Sequence, residues 1–312
     1  MSGESTVLIR VLGSAAGGGF PQWNCGCPNC RGLREGSVSA VARTQESVAI
    51  SADGNDWFLL NASPDIHRQI EAFPPLHPRG PRHSPIRGIL LSNGDLDHCL
   101  GLLLLREFHP LVLYATDHLR RGFTEDNVLY RTLQRFPEQA TWRTLKLGRE
   151  EELVGESGQP SGLSVEAVPV PGKLPVHLEG RISADPEQNV GFRIRERGSG
   201  RVLAYLPAVG EVTPAVRQAL DGADGVFLDG TFWSSDELPA LKLVNKRAEE
   251  MAHVPVSGEN GSLAALAGLS ARRRVLIHIN NTNPLLREDS PERRAVTAAG
   301  WEVAHDGMEM AL

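Results

Sequence analysis

An apolar run that ends in a cluster of metal-binding residue types constrains this chain most. Ile89 to Leu91 is followed by Ser-Asn-Gly, then by Asp95, Asp97 and His98, and then by an apolar stretch typical of a helix. A buried strand that delivers carboxylates and a histidine to a strand-to-helix turn is one way in which α/β enzymes hold a metal ion. The alternative is a solvated acidic turn in which an aspartate caps the helix.

Length and composition limit the classes of protein to which the chain can belong. Its 312 residues, 41% of them hydrophobic and 22% charged, are typical of a globular protein with one large domain or two modest ones. The net charge of −6 gives no reason to expect nucleic-acid binding. No apolar run approaches the roughly 20 residues of a membrane helix, and the first residues predict a strand, not a signal peptide. We therefore expect a cytoplasmic protein without membrane contact.

Three cysteines fall within six residues of a loop rich in glycine and proline. The spacing of Cys25, Cys27 and Cys30 lets three thiolates converge on one tetrahedral ion, which predicts a structural zinc site in a loop at about residues 24–31. Zinc needs a fourth ligand, and because no neighbouring residue supplies one, it must come from a distant element. The alternatives are free buried thiols or a redox pair of Cys27 and Cys30.

Two further stretches could approach a pocket. The glycine-rich loop at residues 13–19 lacks both the P-loop lysine and the dinucleotide-binding spacing, so we expect a closely packed or mobile loop and not a phosphate site. Asp65 and His67 follow a predicted strand. For these we favour a structural role, in which Asp65 or Ser63 caps a helix over residues 67–73.

The order of the predicted elements indicates two packed sheets. Hairpins are predicted over residues 48–60 and 189–206, each around a turn that contains glycine. The second half of the chain repeats the pattern of the first in mirrored order, which predicts one compact α/β sandwich with helices outside, over residues 1–312. The predicted helices include residues 214–220, 262–273 and 291–299. Polar residues follow several of the strands, where enzymes usually build their sites: Asp95, Asp97, His98, Lys173, Asp229 and His278.

Five short motifs stand in the same order as in the metallo-β-lactamase superfamily, which the chain resembles. SNGDLDHCLG, PGK, LDGTFW, MAH and HINN stand in sequence, and the superfamily's main motif is HxHxDH. In that frame Asn93 and Asp95 replace the first two histidines, whereas Asp97 and His98 match the last pair. The resemblance implies a four-layer αβ/βα sandwich.

The later metal positions of the superfamily are only partly present. Its next histidine, in a Pro-Gly-His turn, corresponds to Lys173, and its last histidine corresponds to His278. The bridging aspartate has no equivalent in LPAVG. Phosphodiesterase relatives with a similar cysteine loop take a fourth zinc ligand from a histidine at the position of Asn281, which leaves His305 or Asp306 as candidates for that ligand.

A closer resemblance extends nearly from end to end. GSAAGGGFPQWNCGCPNC, NASPDIHRQI, NGDLDHCLGLLLLRE and HINNTNPLLREDSPERRAV resemble the family of coenzyme PQQ biosynthesis protein B. This resemblance implies a role in making pyrroloquinoline quinone (PQQ), a redox cofactor formed from a glutamate and a tyrosine of a precursor peptide. Other proteins of that pathway are the implied partners.

The depleted ligand set decides which chemistry we predict. Asp97, His98 and His278 form two histidines and one carboxylate, which is the ligand set of mononuclear non-haem Fe(II) oxygenases. We therefore predict an Fe(II)-dependent hydroxylase that acts on the tyrosine ring of a Glu-Tyr-derived precursor, either a small molecule or a dipeptide. Asp95 and His253 would be further ligands, acid/base groups or substrate-orienting groups.

Lys173 would pair with a carboxylate or phenolate of the substrate, unless it is a solvated surface lysine. The main alternative is a carrier that binds PQQ or its precursor and aids its transport to the periplasm, with Lys173, Arg106 and Arg68 as cationic partners. Metal-dependent hydrolysis is the weakest alternative because the ligand set is depleted. The sequence leaves open the native metal, since other divalent ions suit such a site, and the oligomeric state, a homodimer included.

Overall fold

The first of two seven-stranded sheets is built mainly from the first half of the chain. The structure is a computed structural model that describes residues 6–125 and 127–312. The strands of this sheet are β1 (Leu8–Gly13), β2 (Ser47–Ser51), β3 (Trp57–Leu60), β4 (Ile86–Leu90), β5 (Leu111–Ala115), β6 (Ala140–Thr144) and β14 (Glu309–Ala311). Their order is β14-β1-β2-β3-β4-β5-β6, with antiparallel pairs from β14 to β3 and parallel pairs from β3 to β6.

The second sheet has the same plan. Its strands are β7 (Glu150–Val154), β8 (Pro160–Pro169), β9 (Val190–Glu196), β10 (Val202–Leu206), β11 (Gly225–Asp229), β12 (Arg273–Ile277) and β13 (Glu302–Val303). Their order is β13-β12-β11-β10-β9-β8-β7, antiparallel from β7 to β10 and parallel from β10 to β13. Each sheet therefore contains three antiparallel pairs followed by three parallel pairs.

Short helices connect the strands. The α-helices are α1 (Pro28–Glu35), α2 (Ile66–Glu71), α3 (Leu96–Cys99), α4 (Gly101–Leu104), α5 (Asp117–Thr124), α6 (Pro214–Leu220), α7 (Glu237–Ala240), α8 (Ser262–Ala265) and α9 (Pro291–Ala298). Short 3-10 helices lie at Pro74–Leu76, Val128–Leu133, Val176–Leu178, Pro186–Gln188, Glu249–Met251 and Pro284–Leu286. Within the described ranges, no helix combines the length and the apolar character needed to cross a bilayer.

Three apolar layers hold the sheets and helices together. The layer between the sheets takes large side chains from both of them, among others Phe58, Tyr114, Phe192, Tyr205 and Phe227. On the outer face of the first sheet, Leu119 and Phe123 of α5 join the apolar layer that this sheet forms. On the outer face of the second sheet, Val216 of α6 and Val296 of α9 do the same. The predicted four-layer αβ/βα sandwich is thus confirmed.

Some predictions of individual helices and strands are confirmed and others are wrong. Both hairpins form, and α9 begins after the Ser290 side chain, which accepts a hydrogen bond from the Arg293 N–H as a cap should. The predicted helix over 262–273 is wrong, because α8 ends at Ala265, shortly before Gly268, a residue with low helix propensity. The edge strand β7 was not predicted, since it begins with three glutamates, a residue type that is depleted in strands.

The predicted cap of α2 is also wrong. Asp65 precedes this helix, yet α2 has no side-chain cap. Oδ2 of Asp65 instead accepts hydrogen bonds from the backbone N–H and the side-chain amide of Gln45, at 2.9 and 3.0 Å. Oγ of Ser63 accepts from the Asp65 N–H and donates to Gln69. His67 is exposed on the helix surface.

Candidate functional site

Strand ends of both sheets meet at the candidate site. β4 leads through a short turn into α3, whose first turn carries Asp97 and His98. β11 and β12 are parallel neighbours in the other sheet, and they place Asp229 and His278 at the same edge. His278 has a φ of 61°, a left-handed conformation that costs a non-glycine residue on the order of 1 kcal/mol and that is frequent at functional sites.

The three predicted metal ligands lie together. Nε2 of His278 is 3.2 Å and Nε2 of His98 is 3.9 Å from Oδ2 of Asp97. The ligand atoms of all three residues lie within 4.8 Å of one another. Two ligands that are each about 2.1 Å from one ion lie roughly 3 to 3.5 Å apart. The spacing therefore suits a single ion.

His98 supplies an independent test of this fit. Its Nε2 is buried and has no hydrogen-bond partner among the described residues, although Oε2 of Glu46 lies 3.8 Å away. An unsatisfied buried polar atom costs about 1–3 kcal/mol. A metal ion would satisfy this nitrogen and would neutralise the surrounding carboxylates. The residues present fit a divalent ion held by Asp97, His98 and His278.

Electrostatics also favour a cation at this point. Burial raises the pKa of the Asp97 carboxyl, but attraction to His98 and the hydrogen bond with His278 outweigh burial and hold that pKa well below its usual range. Burial lowers the pKa of His98 to about 4. Burial also lowers the pKa of His278, but the hydrogen bond with Asp97 and the attraction to Asp97, Asp229 and Glu46 together outweigh burial, and the net pKa is raised. A positive charge between Nε2 of His278 and Oδ2 of Asp97 is therefore favourable.

Glu46 is a second buried carboxylate beside His98, and no sequence motif marks it. Its Oε2 accepts a hydrogen bond from Nδ2 of Asn61 at 2.9 Å, and its Oε1 accepts one from the hydroxyl of Tyr205. Burial raises its pKa to about 7. Glu46 precedes β2 in an ordinary-looking stretch, so only the packing of the two sheets reveals that it faces the site.

Asp229, Thr231 and His253 form a hydrogen-bonded group next to His278. Oδ2 of Asp229 accepts from the Val209 N–H at 2.7 Å and from Nδ1 of His253 at 2.6 Å. Oδ1 accepts from the N–H and the hydroxyl of Thr231, at 2.9 and 2.6 Å. A carboxylate has about four acceptor sites. Because protein donors fill all four, Asp229 positions its neighbours, although its oxygens also lie near His253 and His278 at metal-ligand spacing.

A cavity of about 430 Å³ opens onto the candidate ligands. Asp95, Lys173 and His253, the predicted catalytic residues, all line it, together with Asp97 and His278. Burial raises the pKa of Asp95, and repulsion by Asp97 adds to that effect.

Gly17 of the glycine-rich loop lies at the wall of this cavity, where a Cβ atom would come within 3.2 Å of Oδ2 of Asp97. This agrees with the expected close packing of the loop beside a pocket. Arg68 and Arg106 are exposed and do not line the cavity, so their suggested role as cationic partners of a bound ligand has no support from this cavity.

The cysteine loop forms a separate candidate centre. Sγ atoms of Cys25, Cys27 and Cys30 lie within 4.8 Å of one another, and none of the three is in a disulfide. Cys27 caps α1, since its sulfur accepts from the Cys30 N–H. Burial raises the pKa of the Cys27 thiol to about 12. A bound metal would be needed to keep such a sulfur as a thiolate at neutral pH.

Asn281 occupies the side of this centre where a fourth ligand would stand. Its side-chain amide lies 3.3 Å from Sγ of Cys30 and 3.8 Å from Sγ of Cys27. The suggested distant ligands are placed elsewhere. Asp306 accepts hydrogen bonds from Ser14 and Thr44, and neither it nor His305 belongs to the cysteine group among the described residues.

Known proteins share both the sequence and the fold. A family model described as "Beta-lactamase superfamily domain" matches residues 56–279. A protein named Coenzyme PQQ synthesis protein B from Methylobacterium radiotolerans is 47% identical over 309 residues, which cover 97% of this chain and 99% of that protein. A protein of the same name from Methylococcus capsulatus is 43% identical over 98% of this chain and 100% of its own length. The chain belongs to the PqqB family of the β-lactamase superfamily.

Solved structures agree with membership of the PqqB family. The crystal structure of Zn²⁺-bound PqqB from Methylobacterium extorquens matches with a TM-score of 0.90 and 44% identity, over 98% of this chain and 100% of that one. A diphosphatase of the PhnP family matches with a TM-score of 0.65 and 21% identity, over 98% and 97% of the two chains, which shows a shared fold alone. The predicted resemblance to the PqqB family is therefore confirmed.

Proposed function

We propose that this chain takes part in PQQ synthesis as an iron-dependent hydroxylase of the tyrosine ring of a Glu-Tyr-derived precursor. The name that its relatives share, Coenzyme PQQ synthesis protein B, supports the pathway. The observation that carries the reaction type is the convergence of two histidines and one carboxylate, Asp97, His98 and His278, of which Asp97 and His278 line a cavity. That ligand set is characteristic of mononuclear non-haem Fe(II) oxygenases.

Iron held by these residues would supply the activation of O₂, with open positions for O₂ and substrate. Hydroxylation converts a ring C–H into C–OH with one oxygen atom of O₂, and the other atom leaves as water. The two electrons and two protons that balance this reaction come from an external reductant such as ascorbate. A hydrolase of the usual superfamily type would need a second set of ligands, and Asn93 and Asp95 stand where two of its histidines would be.

The cavity residues have separate tasks in this proposal. Because Nδ1 of His253 is held by Asp229, its Nε2 is the nitrogen free to accept the proton of the phenol. Lys173 makes no ion pair within the described ranges and would bind a substrate carboxylate. Asp95 lines the same cavity and would orient the substrate amine. The cavity volume of about 430 Å³ is within the usual range for small-molecule sites.

The test is oxygen consumption by the Fe(II)-loaded protein with ascorbate and a Glu-Tyr dipeptide. We expect uptake that requires substrate and yields one hydroxylated ring for each O₂ consumed. His67→Ala is a matched control, since this histidine is exposed and does not line the cavity, and it should retain full activity. Absence of uptake together with tight binding of PQQ would overturn the hydroxylase proposal in favour of a carrier that aids transport to the periplasm. A cytoplasmic location and a homodimer stay predictions.

A further inference from the structure

The buried side chain of Asn93 contacts the nitrogen of His98 that does not face the candidate ion. Oδ1 of Asn93 lies 2.9 Å from Nδ1 of His98. Asn93 itself is 3% exposed and His98 is 1% exposed. In the superfamily frame, a metal-binding histidine stands at the position of Asn93. In this chain the asparagine at that position instead contacts the nitrogen of His98 that points away from the candidate ion.

The orientation of the Asn93 amide follows from a second asparagine, Asn189. Nδ2 of Asn189 lies 3.2 Å from the carbonyl oxygen of Val170 and 3.1 Å from that of Ala208. Both oxygens can only accept, so the Asn189 nitrogen must point at them and its Oδ1 is left as an acceptor. That Oδ1 accepts from Nδ2 of Asn93 at 3.1 Å.

With its Nδ2 committed to Asn189, Asn93 presents Oδ1 to His98. The backbone N–H of Asp95 confirms this orientation, because it can only donate and lies 3.0 Å from the same Oδ1. Nδ1 of His98 must therefore carry the proton. The hydroxyl of Ser92, 3.4 Å from Nδ1, gives its own hydrogen to Asn61 and offers no competing donor.

We propose that Asn93 and Asn189 are positioning residues that hold His98 in the Nδ1–H tautomer, so that its Nε2 lone pair faces the metal ion. A histidine ligand needs such an acceptor behind it to fix its tautomer and ring orientation. An amide supplies the acceptor without adding negative charge to a site that already contains Asp97 and Glu46. The pair also connects the two sheets, because Asn93 follows β4 and Asn189 precedes β9 in a direct backbone bridge.

This inference rests on the metal site of the proposed function but not on hydroxylation. Its first test is therefore made on the metal-free protein, by long-range ¹H–¹⁵N NMR of ¹⁵N-histidine-labelled samples near pH 7. The His98 signals are assigned by their loss in His98→Gln. We expect the proton on Nδ1, whereas neutral histidine in water mostly carries it on Nε2. A proton on Nε2 of His98 in the unaltered chain would overturn the proposal.

Variants provide the second test. Asn93→Leu removes the acceptor and should release the tautomer and weaken metal binding, measured by competition with a chelating dye, by about 10- to 100-fold. Asn93→Asp keeps an acceptor and should retain the Nδ1–H tautomer. Asn189→Leu should cost less than Asn93→Leu, because the Asp95 N–H still holds the Asn93 oxygen in place.

A matched control separates positioning from general packing. Gln139 is another buried amide, 1% exposed, whose side-chain hydrogen bonds within the described residues go to the backbone of Arg106 and Arg135. Gln139→Leu should leave both the His98 tautomer and the metal affinity unchanged. If Asn93→Leu folds, as judged by its thermal melt, and keeps the native tautomer and affinity, the proposal is wrong. If the tautomer shifts while no variant consumes oxygen, the proposed reaction fails and the positioning role stands.

Discussion

The two candidate metal centres differ in how the chain assembles them. Asp97, His98 and His278 come from both sheets, and two of them, Asp97 and His278, line a cavity, whereas Cys25, Cys27 and Cys30 come from one short loop. The same segment, residues 278–283, reaches both centres, since it begins with His278 and contains Asn281. An open centre of nitrogen and oxygen ligands suits catalysis, and a closed sulfur centre suits structural zinc.

The two centres also differ in the hydrogen bonds that hold their ligands. Nδ1 of His98 is bound by Asn93, and Nδ1 of His278 lies 2.7 Å from the Thr231 hydroxyl, so that both rings are held by a side chain. The sulfurs of the cysteine loop accept from backbone N–H groups of the same loop and from the side-chain amide of Asn281. The first centre is thus oriented by its surroundings, and the second by its own turn together with Asn281.

The largest expected effect comes from removing a ligand of the open centre. His98→Ala should lower turnover by more than about a thousandfold and should eliminate metal at that centre, because only two protein ligands remain. Metal content measured by mass spectrometry should fall by one equivalent and leave the sulfur-bound ion in place. Intact turnover in this variant would show that the ligand assignment is wrong.

Removal of a ligand from the closed centre should affect stability more than activity. Cys27→Ser should lower the midpoint of thermal unfolding by on the order of 10 °C, because the free energy of binding a structural metal is part of the free energy of folding. Metal analysis should show the loss of zinc and retention of the other ion. Ser164→Ala, in β8 and also buried, is the control and should retain both metals. Unchanged zinc in Cys27→Ser would contradict the structural-zinc assignment.

How far the sequence predicted these centres depends on how local each one is. The cysteine loop and the Asp97–His98 turn are contiguous, so residue type and spacing were enough to single them out. His278 could be joined to them only through the superfamily resemblance, since 180 residues separate it from His98. Glu46 could not be predicted, because its role depends on the register in which the two sheets pack, and this register leaves no periodic signal in either strand.

A buried carboxylate stabilises the segment shared by the two centres, and its contribution to stability depends on pH. Glu237 accepts hydrogen bonds from Thr282 and from the Trp233 N–H, and burial raises its pKa to about 7 from an ordinary value of 4.5. Between these two pH values the folded protein binds a proton that the unfolded chain has lost. The contribution of Glu237 to stability is therefore complete below about pH 4.5 and is lost as the pH rises through 7, by about 3 kcal/mol.

Glu237→Gln should remove this pH dependence. Relative to the unaltered chain, the variant should gain stability between pH 5 and pH 8, as measured by urea unfolding of the metal-loaded protein at both pH values. Glu259→Gln is the control, because Glu259 is exposed and its replacement should shift the curve equally at both pH values. A difference between Glu237→Gln and the unaltered chain that stays constant with pH would mean that Glu237 is ionised throughout.

The smallest effect is expected from the wall of the open cavity. Lys173→Met should raise KM for the Glu-Tyr dipeptide about tenfold, because one charge-assisted contact of about 1.4 kcal/mol to a substrate carboxylate is lost. Its kcat and the metal content of both centres should not change, since Lys173 lines the cavity and is not among the candidate ligands. Lys146→Met removes an exposed lysine outside the cavity and should leave KM unaltered. A substrate amide in place of the carboxylate should abolish the difference between Lys173→Met and the unaltered chain. If the difference remains with the amide, Lys173 acts on the metal centre itself, and the distinction between substrate-binding residues of the cavity wall and metal ligands is wrong.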